Sequence, residues 1–539
     1  MKKTNIFLFL IILLSIPTFF RMLRPGIYSM QDFHFFRLVE FDKCVRDFQI
    51  PCRWAPDAGL GYGEPLFNFY GQASYAVGEF FHKIGFSKID SLKILFALSL
   101  LGSALTMFLL AKKIWNNNLS AMVSSMVYLY APYRAVDVWV RGVLPEATSF
   151  ILFPLLILKL EEFFENKKIK NLLWLSLFLA LLILNHNLSV FLFVPFLVGW
   201  GAYRIYYSKD RTDLILKLFG AVLFALLISS FYLLPVIFES KFIDLASTTR
   251  GYFDYRGHFA SLNQLLLSRF WGYGASVFGP DDGLSLSVGQ IQWILPVVAL
   301  ILSFYKGDRK VRKNLLILLG IGWLSLFLTH NRSTFLWGYL KQMAFIQFPW
   351  RFLSIAVFSF SLASGAIVTL LRAKIILVVS FLIIITVITN MSFFKEDIWY
   401  LVDDKDMTSG LRWEEQTRAS IGDYWPKFGA SLPSFTAPSN PEGGELVSKL
   451  SDKAVYKIDT EKEEVEIPIN YFPGWIASVD GKVQETYPNA KGLIATTVSK
   501  SEHQVILKFR DTTIRVIGNF LTLISLLTFG CYLYYAYKK

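Results

Sequence analysis

The chain of 539 residues is 54% apolar and 17% aromatic, with only 18% charged residues and a mean hydropathy of +0.44; soluble domains run at roughly 45–50% apolar and about 25% charged. That balance excludes an ordinary soluble globular protein. The formal net charge of +13 comes largely from short basic loops between apolar runs, so it reads as membrane topology and contact with membrane lipids, with no nucleic acid implied.

Windows of about 20 apolar residues predict twelve spans, near 5–23, 92–111, 118–132, 143–160, 171–186, 188–206, 214–236, 287–305, 314–330, 352–371, 373–391 and 516–536. The first resembles a signal sequence, but Ser15-Ile16-Pro17 onward offers no A-x-A-like cleavage site, so it reads as a retained span. The run 171–206 is broken only by Asn185-His186-Asn187. If the spans alternate, Lys2-Lys3, Lys112-Lys113, Lys167-Lys168-Lys170, Arg204 to Arg211, Lys306 to Lys313, Arg372-Lys374 and Lys538-Lys539 share one side, which the positive-inside rule assigns to the cytoplasm. The expectation is a multi-pass protein of the cytoplasmic (plasma) membrane with both termini inside. Segments 24–91, 133–142, 185–187, 237–286, 331–351 and 392–515 then lie outside.

The first outer loop holds Cys44 and Cys52, which either pair in that oxidising location or remain free. Its stretch from Arg53 to Gly71 is rich in Gly and aromatics, but no Gly-Lys-Ser/Thr follows, so it is no P-loop. The aromatics at 67–81 read as an interfacial helix or as platforms for sugar faces.

The outer acids are Asp32, Asp57, Glu64, Asp137, Glu146, Asp281 and Asp282. Asp32, in Gln31-Asp32-Phe33-His34-Phe35-Phe36-Arg37, follows the first span closely; flanking aromatics and His34 would desolvate it and raise its pKa toward that of a general base. Taken alone, it reads at least as well as a solvated loop acid. Glu146, after Arg141-Gly142-Val143-Leu144-Pro145, sits at the mouth of the fourth span, where helix capping explains it as fully as function does. Arg351, in Gln347-Phe348-Pro349-Trp350-Arg351, opens the tenth span and suits either an anionic lipid head or interfacial snorkelling. The six histidines show no zinc-ligand spacing. The residues specify no cofactor with certainty; loose, unspecific coordination of Mg²⁺ or Mn²⁺ by Asp32 with Glu146 is left open.

From about 396 the composition turns to mixed charge, and alternating stretches predict strands at 454–458, 465–469, 475–479, 493–497 and 505–509, with Asp480-Gly481 as a hairpin turn. The expected fold class is an α-helical polytopic membrane protein with a small C-terminal extracytoplasmic β-sandwich. It divides into a transmembrane domain at 1–391 with the large outer loop 24–91, a β-rich domain at 392–515, and a final transmembrane helix at 516–539, in which Cys531 is expected to be buried.

Met30 to Leu38, Pro51 to Trp54 with Gly61 to Tyr70, Arg141-Gly142 to Glu146, and Gln347 to Arg351 together resemble bacterial polytopic proteins described as 6-pyruvoyl-tetrahydropterin-synthase-related. Tyr471-Phe472-Pro473-Gly474-Trp475 with Val479 to Lys482 resembles the outer domain of YfhO-like proteins. Both groups are similar to the GT-C class of membrane glycosyltransferases. That resemblance implies a GT-C-like helical domain with Asp32 as the catalytic base and Glu146 and Arg351 as its neighbours in the site; Arg141 and His34 complete the candidate substrate-binding residues. The chain departs from the class in having His34 where an Asp-x-Asp would place its second acid, and from a pterin synthase in offering no His triad for zinc.

The function these features imply is an inverting transfer of a sugar from a polyprenyl-phosphate-linked donor to an extracytoplasmic glycan, lipid or protein acceptor, with the β domain orienting the acceptor. A lipid or glycolipid flippase, or a non-catalytic scaffold for cell-envelope assembly, are the competing classes.

Overall fold

The computed structural model describes residues 2–306, 309–371, 375–419, 424–428 and 434–538; the basic residues Arg372, Lys374 and Lys539 lie outside these. Among the described residues, helices cover most of each of the twelve expected segments. Seven helices among the described residues are long and apolar enough to cross a membrane, or eight if Arg211–Ile228 and Ser230–Phe242, bent by 78°, form one span. Asn118–Leu129, Ile169–Asn185 and Gln290–Lys306 are apolar but shorter.

Burial sorts these helices. Pro349–Leu370 is almost wholly enclosed by its neighbours, whereas Ile376–Phe393 and Thr513–Ala536 leave most of their surface uncovered. Their exposed rows, such as Phe381, Ile384 and Ile388 or Phe520, Leu523 and Leu527, are the hydrocarbon-facing sides of membrane helices, whose backbone groups must all be satisfied internally. Cys531 is exposed on the last of these, which corrects the expectation of burial: a thiol suits lipid as well as it suits a protein core. The polar triplet at 185–187 does break its apolar run, because His186 is extended (φ −155°, ψ 105°) between two helices.

Strand β1 (Ile27–Tyr28) pairs antiparallel with β2 (Trp399–Tyr400). Strands β3 (Gly444–Lys449), β4 (Lys453–Thr460), β5 (Glu464–Asn470), β6 (Trp475–Val479), β7 (Lys482–Gln484), β8 (Thr486–Pro488), β9 (Leu493–Thr497) and β10 (Ser501–Phe509) form two antiparallel sheets, ordered β3-β4-β10-β6-β7 and β5-β9-β8. Ile458, Ile467, Ala477, Ile494 and Leu507 are fully buried in their common core. Asp480 and Gly481, at φ 49° and 82°, turn β6 into β7 across the Val479–Lys482 pair, as a two-residue hairpin with both central φ angles positive requires.

The first loop, the β domain and the last helix are fastened to one another and to the helix Ser230–Glu239. Trp54 packs edge-on to Trp475 with ring centroids 5.3 Å apart, and Cys44 and Cys52 form a disulfide, Cα atoms 5.5 Å apart. Arg515, which is fully buried at the start of the last helix, donates to Glu239 Oε2 at 2.9 Å, while Arg53 donates to Asn519 Oδ1 at 2.8 Å.

Candidate functional site

The six segments that charge asymmetry assigns to one side all contribute to a single cavity of about 560 Å³, through residues that include Asp32, Arg141, His186, Leu245, Arg351 and Tyr424. Its polar wall comes from the first loop, the 141–143 turn, the helix break at 185–187 and the 345–351 segment; Val236, Leu245, Phe345 and Leu188 add an apolar wall.

Asp32 precedes the helix His34–Arg46, and Arg37 in that helix folds back onto it. Arg37 Nη1 pairs with Asp32 Oδ1 and the guanidinium lies 4.3 Å over the ring of Tyr70. Burial alone would push this carboxyl up, but Arg37 and then His34 outweigh it and hold Asp32 well below the usual carboxylate range. The direction is opposite to that expected from the aromatic flanks, because desolvation, though the largest single influence, is outweighed by Arg37 and His34 acting together. Asp32 is therefore ionised, with 22% of its side chain exposed.

His34 lies behind Asp32 and does not line the cavity. It is fully buried, with Nδ1 2.6 Å from Tyr75 Oη and Nε2 accepting from the Leu144 amide at 2.9 Å, and Nε2 is 3.2 Å from Asp32 Oδ2. Burial pushes its pKa down. It thereby joins the acid to the start of the helix Leu144–Asn166. Gly142 makes the junction possible: at φ +61° a Cβ would stand 2.4 Å from that of Met30, so only glycine lets the first loop press onto this turn.

Arg141 ends a single turn of π-helix, Val136–Val140, its amide donating five residues back to Val136 O at 2.8 Å; such wide turns often mark functional sites. Its Nη1 lies 2.5 Å from Asp137 Oδ1 and 3.0 Å from Glu146 Oε2, and the guanidinium stacks 4.4 Å from Trp350. Glu146 is buried, accepts from Tyr133 Oη at 2.6 Å, and holds Arg141 without lining the cavity itself.

Arg351 does line it. Nη1 donates to Ile346 O at 2.8 Å and to Gln347 Oε1 at 3.0 Å, but Nε is buried without a partner, and Arg351 forms no ion pair with a carboxylate among the described residues. Gln347, the acceptor, sits at φ +67°, a conformation a non-glycine residue holds only when its surroundings enforce it, and its Nε2 donates to Thr248 O at 2.9 Å. A buried cation left without a counter-ion is costly unless an anion arrives to meet it.

The structure thus brings Asp32, Arg141 and Arg351 to one cavity, with His34 and Glu146 directly behind. Asp57 instead pairs with Lys43, Glu64 is buried elsewhere in the first loop, and Asp281 and Asp282 line a separate cavity. Among the described residues no three His, Cys, Asp or Glu side chains gather as a metal site requires. Asp32 and Glu146, the pair considered for Mg²⁺ or Mn²⁺, each already contact a guanidinium, and this donor set does not fit a resident cation. Sequence reasoning overlooked Arg37, Gln347 and His186. The last is half-buried, its ring Nδ1 2.8 Å from Ser189 Oγ and its pKa pushed down to about 3 by desolvation; the polar triplet inside an apolar run was its available signal.

A profile of a membrane-protein family described as 6-pyruvoyl-tetrahydropterin synthase related domain matches residues 67–396. No curated protein matches the chain. Among solved structures, the arabinofuranosyltransferase AftD from Mycobacteria is similar at 12% identity and a TM-score of 0.42, over 72% of this chain and 26% of that one. The Archaeoglobus fulgidus oligosaccharyltransferase in the apo form is similar at 11% identity and a TM-score of 0.42, over 77% of this chain and 56% of that one. The chain accordingly spans less than two thirds of the length of either.

Proposed function

We propose that this chain, which belongs to the membrane-protein family described as 6-pyruvoyl-tetrahydropterin synthase related domain, is an inverting glycosyltransferase that moves a sugar from a polyprenyl-phosphate carrier to an acceptor outside the cytoplasmic membrane. The observation that carries this reading is a buried Arg351 without a carboxylate partner, lining the same cavity as an ionised Asp32. One supplies a place for a phosphate, the other an acceptor for a proton.

In this reading the phosphate of the donor lies against Arg351, with Arg141 beside it. The acceptor oxygen bonds to the anomeric carbon as the carbon–oxygen bond to phosphate breaks, and the electron pair of that bond goes to the phosphate oxygen. Fixed guanidinium groups meet the charge that develops there. The acceptor's proton passes to Asp32. A carboxylate of low basicity takes that proton late, once the forming bond has acidified the hydroxyl. The carrier phosphate is the leaving group, so no nucleotide site is needed. The cavity side is extracytoplasmic and both termini are cytoplasmic.

A flippase is the second reading, favoured by one feature: Arg211–Ile228 and Ser230–Phe242 are bent by 78° and the second of them lines the cavity through Val236 and Ser240, as broken helices do in transporters. Purified protein in vesicles with labelled polyprenyl-phosphate sugars separates the two. Release of polyprenyl phosphate with label on a new acceptor supports the transferase; label crossing the bilayer still attached to its carrier supports the flippase.

A further inference from the structure

A second cavity, of about 640 Å³, lies in the outer segment 259–287 and shares none of the residues discussed so far except Asp281 and Asp282. It is built rigidly. The short helix Leu262–Leu266 is capped by Ser261, and Gln264 donates to Asp282 Oδ2 at 3.0 Å, bracing one wall against the other. The hairpin between them is pinned at its base, where Tyr273 O and Gly274 O accept from the Gln31 side chain at 3.2 and 3.3 Å and Ser276 Oγ accepts from Trp350 Nε1 at 3.1 Å. Gln31 adjoins Asp32 and Trp350 adjoins Arg351, so this base touches the neighbours of both principal groups of the first cavity.

The lining has a chemistry of its own. Phe270 and Phe278 are 53% and 55% exposed, while the side chains of Asn263, Asp281 and Ser285 line the space without a side-chain hydrogen bond among the described residues; Ser285 is nevertheless only 3% exposed. Among the described residues no Lys or Arg lines the cavity, in contrast to Arg37, Arg141 and Arg351 of the first. A phosphate or other anionic polymer finds no counter-charge here. Hydrocarbon would leave an amide, a hydroxyl and a carboxylate unsatisfied. Exposed aromatic faces beside unpaired hydrogen-bonding groups suit the alternating C–H and O–H surfaces of a neutral sugar.

We infer that this outer cavity binds the neutral glycan portion of the acceptor and that its hairpin leads the acceptor's end toward Asp32. The inference rests on the glycosyltransferase reading for the word acceptor, but the site itself, a neutral-glycan groove, is tested without it.

The test uses full-length protein in nanodiscs, with neutral linear hexose and pentose hexasaccharides as probes and a sulfated hexasaccharide as the anionic control. Binding of a neutral probe slows hydrogen exchange across 259–287, and its affinity falls about tenfold in Phe278→Ala and in Asn263→Ala, as loss of a stacking face or a hydrogen-bonding group would produce. Both positions lie on the cavity rim, and retained unfolding midpoints show that the variants fold. The inference is overturned if no neutral probe slows exchange there, if the sulfated probe binds better, or if both variants bind as wild type does. It is also overturned if a spin label on Phe278→Cys, in a Cys531→Ser background, is found within the bilayer, since the groove would then be a lipid contact. Glycan protection without sugar transfer keeps the groove and removes the transferase; transfer without protection does the reverse.

Discussion

Arg37 closes on Oδ1 of Asp32 from a helix that begins two residues after it, while its guanidinium rests 4.3 Å above the ring of Tyr70. The pair sets the ionisation of Asp32. A carboxyl whose pKa falls on folding adds stability above its unfolded value near 4 and loses it as pH drops through the folded one. With Arg37→Met the first of the influences that hold the carboxyl down is lost, so the folded pKa rises and the stability that Asp32 adds above about pH 4 shrinks. The pH-dependent difference in unfolding midpoint between Asp32 and Asp32→Asn, measured from pH 8 to pH 4, should then be smaller in the Arg37→Met background than in wild type. An equal difference in the two backgrounds would show that Arg37 does not govern the acid.

His186 gives a pH dependence of the same sign as wild-type Asp32 but in a different window. Its pKa is pushed down to about 3 by burial, with Glu146, Arg351, Arg141 and Asp32 acting on it in lesser degree, so the unfolded chain binds the extra proton between about pH 6.5 and the folded value. Stability should fall on acidification through that window, by up to about 1.4 kcal/mol per pH unit from this group. His186→Asn should flatten the fall in thermal midpoint; an unchanged slope would mean that His186 charges freely in the folded protein.

Glu146 is held by Arg141 and Tyr133 rather than facing the cavity. Removing one partner of a buried ion pair costs about 3–5 kcal/mol. Glu146→Ala should therefore lower the thermal midpoint markedly, with donor binding reduced through a displaced Arg141. A variant of wild-type stability that has lost only turnover would instead place Glu146 in contact with substrate.

Much of this architecture was legible because its causes are local. Apolar runs mark the helices whatever their neighbours, Asn185-His186-Asn187 ends one, and Asp480-Gly481 closes a hairpin that needs two positive φ angles. The site was legible in its members but not in their relations. Asp32 and Arg351 stand out as charges near span ends, yet nothing near Asp32 in sequence reveals that Arg37 turns back onto it, so aromatic neighbours suggested the wrong direction of pKa shift. The strained backbone of Gln347 and the meeting of His34 with the Leu144 amide depend on segments far apart in the chain. Cys531 was misplaced for a different reason: in lipid, the outside of a helix is as apolar as its inside.

The Cys44–Cys52 disulfide closes a short loop between the helix that carries Arg37 and the buried Arg53 and Trp54. A loop of this length restricts the unfolded chain by about 2–3 kcal/mol. Reduction, or Cys44→Ser with Cys52→Ser, should lower the unfolding midpoint and speed proteolysis within 44–57. Equal midpoints with and without reductant would show that the bridge contributes nothing to holding the loop.

The most direct measurement is the single-turnover rate of sugar transfer from a labelled polyprenyl-phosphate donor by wild type and by Asp32→Asn, at matched donor occupancy and matched unfolding midpoints. Loss of a general base predicts a fall of about 10²- to 10⁴-fold with donor affinity retained. A rate within about threefold of wild type, where general-base loss requires far more, would contradict the assignment of Asp32 as the group that takes the acceptor's proton.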